Sequence, residues 1–175
     1  MKTEPETFSI SDLERVRIEP WTGVRNYVAR NHMRAMQVGD EVLIYHSSCE
    51  PPGVAGLARV VETGVLDATQ FDPESPYYDP RSTPEKPLWD CVKVEYVQTL
   101  PRVVSLAELR AEKALGKMLL FTWSRLSVMP VLPAQYARII EMSARPPVAP
   151  PARPARRRRP GKKRPRARAS RTRRS

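Results

Sequence analysis

The residues best suited to chemistry lie between Trp21 and Ser47, where aromatic and hydrogen-bonding side chains are concentrated. Trp21 stands in a glycine-containing turn, a helical segment rich in Asn and Arg follows, and an apolar strand then ends in Tyr-His-Ser. Proteins hold an unpaired nucleobase by stacking it on a ring while hydrogen bonds read its edge. Core packing is the better interpretation for any one of these aromatic residues, but it is less expected for Trp21, which sits in a turn before a polar helix.

Catalytic and metal-binding arrangements have little support in the sequence. The two histidines and two cysteines lack zinc-site spacing, and neither a phosphate-binding loop nor a dinucleotide-binding glycine motif is present. His46 and Cys49 could form a thiolate pair, but a loop cysteine without a catalytic role is the better interpretation. Asp72, Glu74 and Asp79 are interpreted as turn residues beside prolines. We therefore expect no cofactor, no metal and no enzymatic activity.

The charge of the chain is divided unevenly between two parts. Residues 1–143 carry sixteen Lys and Arg against nineteen Asp and Glu, a net charge of −3. Residues 144–175 carry fourteen Lys and Arg and no acid, with seven prolines and little apolar bulk. Because such a composition cannot form a core, we expect a globular domain over 1–143 and a disordered basic tail over 144–175.

The tail favours sequence-independent contact with nucleic-acid phosphates. A solvated tail or a localisation signal is the alternative. The residues expected to bind phosphate are Arg156, Arg157, Arg158, Arg159, Lys162, Lys163 and Arg164.

Length and the remaining composition narrow the class of protein. A chain of 175 residues suggests one folded domain. Two cysteines at this size favour a reducing compartment over a secreted scaffold. No apolar run approaches the ~20 residues of a membrane span, and the start lacks the apolar core of a signal peptide. We expect a cytoplasmic monomer that does not bind membranes, associated with a bacterial nucleoid if the tail binds nucleic acid.

Two helices are predicted ahead of the first long strand. The first covers residues 7–17, with Ser11 and Glu14 as its capping box. The second covers residues 26–36. Its expected buried residues are Val28, His32, Ala35 and Met36.

Strands are predicted at residues 41–46, 54–62, 89–99 and 126–131. The first is a continuous apolar run, so both of its faces are expected to be covered. Gly56, inside the second, predicts a bulge or a close backbone approach.

The connections complete the predicted fold. Residues 67–88 form a long irregular segment, Ser105 and Glu108 form a capping box, and Pro133 begins a last helix. Strands that alternate with short helices, without regular crossover spacing, favour an α+β fold: a small mixed β-barrel or curled sheet with flanking short helices.

Several sequence blocks, in order, resemble the EVE domain family. They are Lys2-Thr3-Glu4-Pro5, Trp21-x-Gly-Val-Arg-Asn-Tyr, Ala29-Arg30-Asn31, Tyr45-His46-Ser47, Gly53-Val54-x-Gly56, Ser75-Pro76-Tyr77-Tyr78-Asp79-Pro80 and Arg125-Leu-Ser-Val. The resemblance covers residues 1 to about 143. It implies a PUA-like fold, similar to the YTH domain that reads methylated adenine in RNA.

The resemblance also implies a function and a site. The function is binding of a modified base in DNA or RNA, with modified cytosine as the first expectation and methylated adenine as the second. Trp21 would form one wall of the base pocket, and the basic tail would add general affinity. The pocket residues implied are Trp21, Gly23, Val24, Asn26, Arg30, Asn31, Tyr45, His46, Ser47 and Ser127.

Two other functions stay open. PUA-like barrels also resemble domains that process small nucleoside derivatives, in which His46 with Glu4 or Glu50 would supply acid–base chemistry. The other is a histone-like nucleoid protein whose globule only carries the tail. Family members begin with an extra apolar and aromatic segment before the Lys-x-Glu-Pro motif. We therefore expect the natural chain to start upstream of Met1. The intact mass of the native protein tests this, since a mass matching Met1 as the first residue would contradict it.

Overall fold

The strands form one mixed sheet in this computed structural model, which describes residues 1–147. Their bounds are β1 Lys2–Thr3, β2 Ile18–Pro20, β3 Glu41–His46, β4 Gly53–Leu66 and β5 Asp90–Ser105. The sheet order is β1-β3-β4-β5-β2. β1 runs parallel to β3, and all other neighbours are antiparallel. β4 and β5 are long because they pair with each other along most of their length.

Five short helices flank the sheet. They are α1 Ile10–Val16, α2 Tyr27–Arg34, α3 Leu106–Ala111, α4 Leu119–Thr122 and α5 Pro133–Ser143. A mixed sheet with short flanking helices confirms the predicted α+β fold class. In the described residues 1–147, no helix has the length and apolar character needed to cross a bilayer.

The apolar strand β3 is covered on both faces, as its composition predicts. Val42 and Ile44 belong to one core cluster, which includes residues of α1 and α2. Leu43 and Tyr45 belong to a second cluster, which includes residues of α3, α4 and α5. Because side chains alternate along a strand, a continuous apolar run contributes to both cores.

Several local predictions are confirmed. The predicted strand 41–46 is β3, and the capping box of Ser105 and Glu108 starts α3. Pro133 is the first residue of α5. At Gly56 the pairing register shifts, and an added Cβ would lie 2.3 Å from the side chain of Ile10. The glycine therefore marks both a bulge and a close approach.

The N-cap of the first helix lies two residues before the predicted one. Ser9 has extended backbone angles, and its Oγ accepts the amide of Asp12 at 3.1 Å. Asp12 in turn accepts the Ser9 amide at 2.9 Å. The predicted capping box of Ser11 and Glu14 is therefore wrong, since Ser11 already lies inside the helix.

The second helix buries a different face from the predicted one. Asn26 is its N-cap and accepts the amides of Val28 and Ala29 at 2.9 and 3.1 Å, so the helix starts at Tyr27. Ala29 and Met33, four residues apart, are its buried residues. The predicted burial of Val28 and Ala35 is wrong, because both are exposed; His32 and Met36 are half-buried.

The predicted strand at 126–131 is also wrong. Leu126 and Val128 are buried, but no strand forms in this segment of the described chain. Its apolar residues fill the core without joining the sheet. The long segment 67–88 is irregular as predicted, apart from a 3-10 turn at Ala68–Gln70 and an isolated bridge between Thr83 and Lys86.

Candidate functional site

A cleft of about 700 Å³ opens where the ends of β1, β2 and β3 meet the loop before α5. Its volume lies within the range of ~300–1,000 Å³ typical of ligand sites. The lining residues are Lys2, Thr3, Glu4, Thr7, Phe8, Glu19, Pro20, Trp21, Thr22, Gly23, Val24, Ser47, Ser48, Tyr77, Ser124, Arg125 and Ser127. Five of the ten predicted pocket residues are among them: Trp21, Gly23, Val24, Ser47 and Ser127.

Trp21 lines the cleft and also belongs to the core. Only 8% of the residue is exposed. Its amide donates to the carbonyl of Val92 at 2.8 Å, and its ring meets Phe8 edge to face at 6.4 Å between centroids. Trp21 therefore packs in the core, the arrangement that was less expected for it. Because packing fixes the ring, it forms a rigid wall with one part turned to the cleft.

A buried carboxylate holds the turn that follows Trp21. Asp67 is 1% exposed and accepts the Gly23 amide at 2.9 Å and Arg25 Nη1 at 2.7 Å. The amide and hydroxyl of Thr69 also donate to it. Burial alone would raise the pKa of Asp67, but the hydrogen bonds from Arg25, Thr69 and Gly23 outweigh it and hold the pKa below its usual value.

Tyr77 forms a second aromatic wall, packed against Gly23. Gly23 has φ +79°, and an added Cβ would lie 2.8 Å from two atoms of the Tyr77 ring. Arg25 Nε donates to the Tyr77 carbonyl at 2.6 Å, and its guanidinium lies 5.7 Å from the ring centroid. Arg25 therefore ties the turn at Gly23 to the long irregular segment. Tyr77 is 40% exposed and offers more free ring surface than Trp21.

The opposite side of the cleft is built on the pairing of β1 with β3. The amide and Oγ of Ser47 both donate to the carbonyl of Thr3, at 2.8 and 3.1 Å. The Lys2 amide donates to the Ser127 carbonyl at 2.8 Å, and Lys2 Nζ donates to the Ser124 carbonyl at 2.5 Å. Ser47 and Ser127 therefore reach the cleft from segments about 80 residues apart in sequence.

Glu4 carries a carboxylate into the cleft at the end of β1. The carbonyl of Glu4 accepts the amides of Thr7 and Phe8, both at 2.9 Å. Ser48 Oγ donates to Glu4 Oε1 at 2.8 Å. Ser48 has φ +56°, a left-handed conformation that a residue other than glycine adopts at a cost of roughly 1–2 kcal/mol. The surrounding structure thus fixes both the backbone and one oxygen of Glu4.

The cleft itself is not a basic patch. Its charged residues are two cations, Lys2 and Arg125, and two carboxylates, Glu4 and Glu19. Balanced charges do not create the positive field expected of a surface that binds phosphates along a strand. The cleft is therefore better suited to a neutral, hydrogen-bonding ligand with an aromatic ring.

The other five predicted pocket residues do not line the cleft. The Asn26 side chain is occupied by the N-terminus of α2. Arg30 donates to the Leu88 carbonyl at 2.7 Å and to Asn31, beside the stacked rings of Tyr27 and Trp89. This is a correction to the placement of Asn26, Arg30 and Asn31, and its physical reason is that α2 uses these polar groups for its own start and for packing.

Tyr45 and His46 are likewise used by the fold. Tyr45 is buried in the core cluster of α3, α4 and α5, and burial raises its pKa. His46 Nε2 accepts the amide of Ile10 at 3.0 Å, and burial lowers the pKa of His46. Both residues directly precede the cleft residue Ser47 in sequence, but their side chains pack behind the cleft and do not line it.

Several residues considered for catalysis already have hydrogen-bond partners in the fold. His46 already accepts a backbone amide, and Cys49 Sγ donates to the Pro51 carbonyl at 3.6 Å. Asp79, interpreted as a turn residue, accepts from Arg81 and from the indole of Trp89. Within residues 1–147, no three His, Cys, Asp or Glu side chains are grouped so that they could hold a metal ion.

Sequence reasoning missed Glu4, Tyr77 and Arg125 as cleft residues. Each belongs to a block that carries the family resemblance, but none lies near Trp21 in sequence. The phosphate-binding prediction for Arg156–Arg159 and Lys162–Arg164 lies outside the described residues.

Comparison with known proteins identifies relatives of this fold and cleft. The sequence model of the EVE domain family matches residues 1–142. Human thymocyte nuclear protein 1 is 40% identical over 166 residues, covering 84% of this chain and 74% of that protein. An uncharacterized fission yeast protein is 38% identical over 146 residues, covering 79% of this chain and 61% of that protein.

Solved structures show the same architecture in distant organisms. A hypothetical protein from Leishmania major is 51% identical, with a TM-score of 0.81 over 82% of this chain and 92% of that one. Human THYN1 in complex with DNA containing 5-methylcytosine is 38% identical, with a TM-score of 0.81 over 84% of this chain and 97% of that one. The chain belongs to the EVE domain family, as the resemblance predicted.

Proposed function

We propose that this protein binds a modified cytosine of DNA in the cleft beside Trp21. The observation that carries the proposal is the likeness to human THYN1, solved in complex with DNA containing 5-methylcytosine, at a TM-score of 0.81. In this chain the corresponding fold presents a cleft with an aromatic wall and a polar rim. Neither feature alone would point to a base.

The chemistry of the cleft suits one extruded base. Phe8, Trp21 and Val24 supply apolar surface for a ring and a methyl group, and Tyr77 supplies a further ring. Extrusion from a duplex costs a few kcal/mol, and stacking on aromatic rings returns about 1–3 kcal/mol per base. The remaining affinity has to come from hydrogen bonds at the rim and from contacts with the backbone.

The proposal assigns those backbone contacts to the basic tail. Suppose that eight of the fourteen cations in residues 144–175 bind duplex phosphates. A plot of the logarithm of the binding constant against the logarithm of the salt concentration would then have a slope of about −7. The tail would raise the affinity for all sequences alike. Selectivity would then depend on the cleft alone.

A Trp21 variant tests the role of the cleft. Because Trp21 packs in the core, its replacement by Ala would remove about 3–5 kcal/mol of stability, so Trp21→Phe is the better change. We expect it to reduce the preference for a 5-methylcytosine oligonucleotide over its unmodified form severalfold in fluorescence-anisotropy titrations. Trp123→Phe is the matched control, since Trp123 is 52% exposed and lies outside the cleft lining.

Deletion of residues 148–175 tests the tail and should have the opposite effect. We expect a flatter salt dependence with an unchanged preference for the modified base. A wild-type chain without any preference for 5-methylcytosine over cytosine would refute the proposed function. Loss of the preference on tail deletion, with Trp21→Phe unaffected, would refute the division between cleft and tail.

The wider features of the proposal concern target, location and activity. We propose DNA as the target; equal affinity for methylated RNA strands would extend it to RNA. We further propose that the protein is monomeric, non-catalytic and located in the cytoplasm or nucleoid. Size-exclusion chromatography tests the monomeric state, and imaging of a tagged chain tests the location. Incubation with modified nucleosides and mass analysis tests for turnover, which would favour a nucleoside-processing enzyme.

A further inference from the structure

We propose that Glu4 gives the cleft its selectivity for bases with an exocyclic amine, and so excludes thymine. The inference rests on the proposed function and names a step within it. 5-Methylcytosine and thymine carry the same methyl group at C5. Contacts with that methyl group therefore cannot separate the two, although thymine is far more abundant in DNA than any modified cytosine.

The two bases differ at C4, where cytosine carries an amine and thymine a carbonyl oxygen. An ionised carboxylate only accepts hydrogen bonds. Facing cytosine, it accepts from the amine. Facing thymine, two acceptors oppose each other, so the water that each loses at the contact is not replaced by a hydrogen bond and binding is penalised. A carboxylate in the cleft is thus the group that this discrimination requires.

Two carboxylates line the cleft, and the structure distinguishes them. The backbone of Glu4 is fixed by its carbonyl, which accepts two amides at 2.9 Å, and its exposed carboxylate is oriented by the Ser48 hydroxyl, which donates to Oε1 at 2.8 Å. Glu4 Oε2 receives no hydrogen bond from residues 1–147 and is left for a ligand. In the same part of the chain, no donor orients the carboxylate of Glu19. A reading group has to be held in position before the ligand arrives, and of the two carboxylates Glu4 is the one with a hydrogen bond that orients it.

The left-handed backbone of Ser48 supports the same assignment. At φ +56° Ser48 occupies a region that residues other than glycine rarely adopt. Such conformations persist where surrounding contacts hold them, and they cluster at binding sites. Here the conformation belongs to the residue whose hydroxyl orients Glu4. Ser48 is therefore a positioning residue for the carboxylate.

The test compares three single-stranded oligonucleotides that differ at one position, carrying 5-methylcytosine, cytosine or thymine. Single strands remove differences in base pairing, and the basic tail of the full chain contributes equally to all three. We expect the wild type to prefer 5-methylcytosine over thymine. Glu4→Gln should reduce that preference roughly ten- to a hundredfold, because an amide also donates to the thymine oxygen.

Glu6→Gln is the matched control, since it removes the same charge from an exposed residue two positions away that does not line the cleft. It should leave the ratio of the two affinities unchanged, whereas Ser48→Ala should lower it partly. Glu4→Asp keeps a carboxylate acceptor and should still prefer 5-methylcytosine over thymine. A retained preference in this variant would show that substitution at position 4 does not by itself misfold the cleft.

Four outcomes would overturn the inference. A Glu4→Gln ratio equal to that of the wild type, or an equal loss with Glu6→Gln, would remove Glu4 from this role. A wild type that prefers 5-methylcytosine over cytosine but binds thymine as tightly would leave the proposed function standing and refute the amine reading. A wild type indifferent to methylation would refute both.

Discussion

Replacement of Gly23 by Ala should destabilise the protein more than the same change at Gly64. Both glycines have left-handed backbones, with φ +79° and +66°. At Gly64 an added Cβ meets nothing within 4 Å, whereas at Gly23 it lies 2.8 Å from two ring atoms of Tyr77. The pair therefore separates backbone strain, common to both, from the clash, present only at Gly23.

The magnitudes follow from these two terms. The left-handed conformation costs a residue with a Cβ roughly 1–2 kcal/mol, which sets the expected loss for Gly64→Ala. At Gly23 the Tyr77 ring has to move, but the bond from Arg25 Nε to the Tyr77 carbonyl at 2.6 Å resists the movement. Overpacking of this kind adds about 1–3 kcal/mol. We expect Gly23→Ala to lose about 2–5 kcal/mol in total.

Urea unfolding followed by tryptophan fluorescence measures both losses. Combining Gly23→Ala with Tyr77→Ala should recover the part due to the clash, so the double variant should be less destabilised than the sum of the singles. Equal losses at Gly23 and Gly64, or strictly additive losses with Tyr77, would show that the ring does not constrain the turn. The account of Tyr77 as a fixed wall would then fail.

Two further predictions concern titratable groups. Burial raises the pKa of the Cys91 thiol to about 12. Cys91 should therefore resist alkylation at pH 8 in the folded protein, while Cys49, which is half-buried, reacts. Equal alkylation rates of the two cysteines, measured by mass spectrometry, would contradict this. The pKa of Asp67 is lowered in the fold, so its ionisation contributes stability above the unfolded pKa of about 3.9, and that stability is lost as the pH falls through the folded pKa. Asp67→Asn should therefore weaken the fold at pH 7 and flatten its acid unfolding, and an unchanged pH dependence of the urea midpoint would refute this role.

The elements that sequence could predict are those with strong local signals. The apolar run of β3 is bounded by Gly39-Asp40 and by a polar loop, and the capping box at Ser105 is complete within four residues. The buried face of α2 was predicted wrongly because Val28 and His32 have the same four-residue spacing as the buried pair Ala29 and Met33, so periodicity alone does not choose between the two faces. Residues 126–131 are apolar enough for a strand, but their place in the core is set by distant packing, which no local pattern encodes.

The site shows the same division between local and distant information. Trp21, Gly23 and Val24 could be predicted from the sequence as pocket residues because they lie in one turn. Glu4 directly follows β1 and Tyr77 lies in the irregular segment, and only the folded sheet brings them to the same cleft. The residues that stabilise the turn, Asp67 and Arg25, form their ion pair across more than forty positions of sequence, so the sequence carried no signal for it.

The distribution of charge explains why a reader of this kind would separate its two tasks. Residues 1–143 carry a net charge of −3, and the cleft balances two cations against two carboxylates. A strongly basic cleft would bind any phosphate nearby and would weaken the penalty that a carboxylate imposes on the wrong base. Under the proposed function, fourteen cations placed beyond residue 143 leave the cleft free to discriminate by hydrogen bonds. The affinity that the acidic domain cannot supply then comes from a part of the chain that reads no sequence.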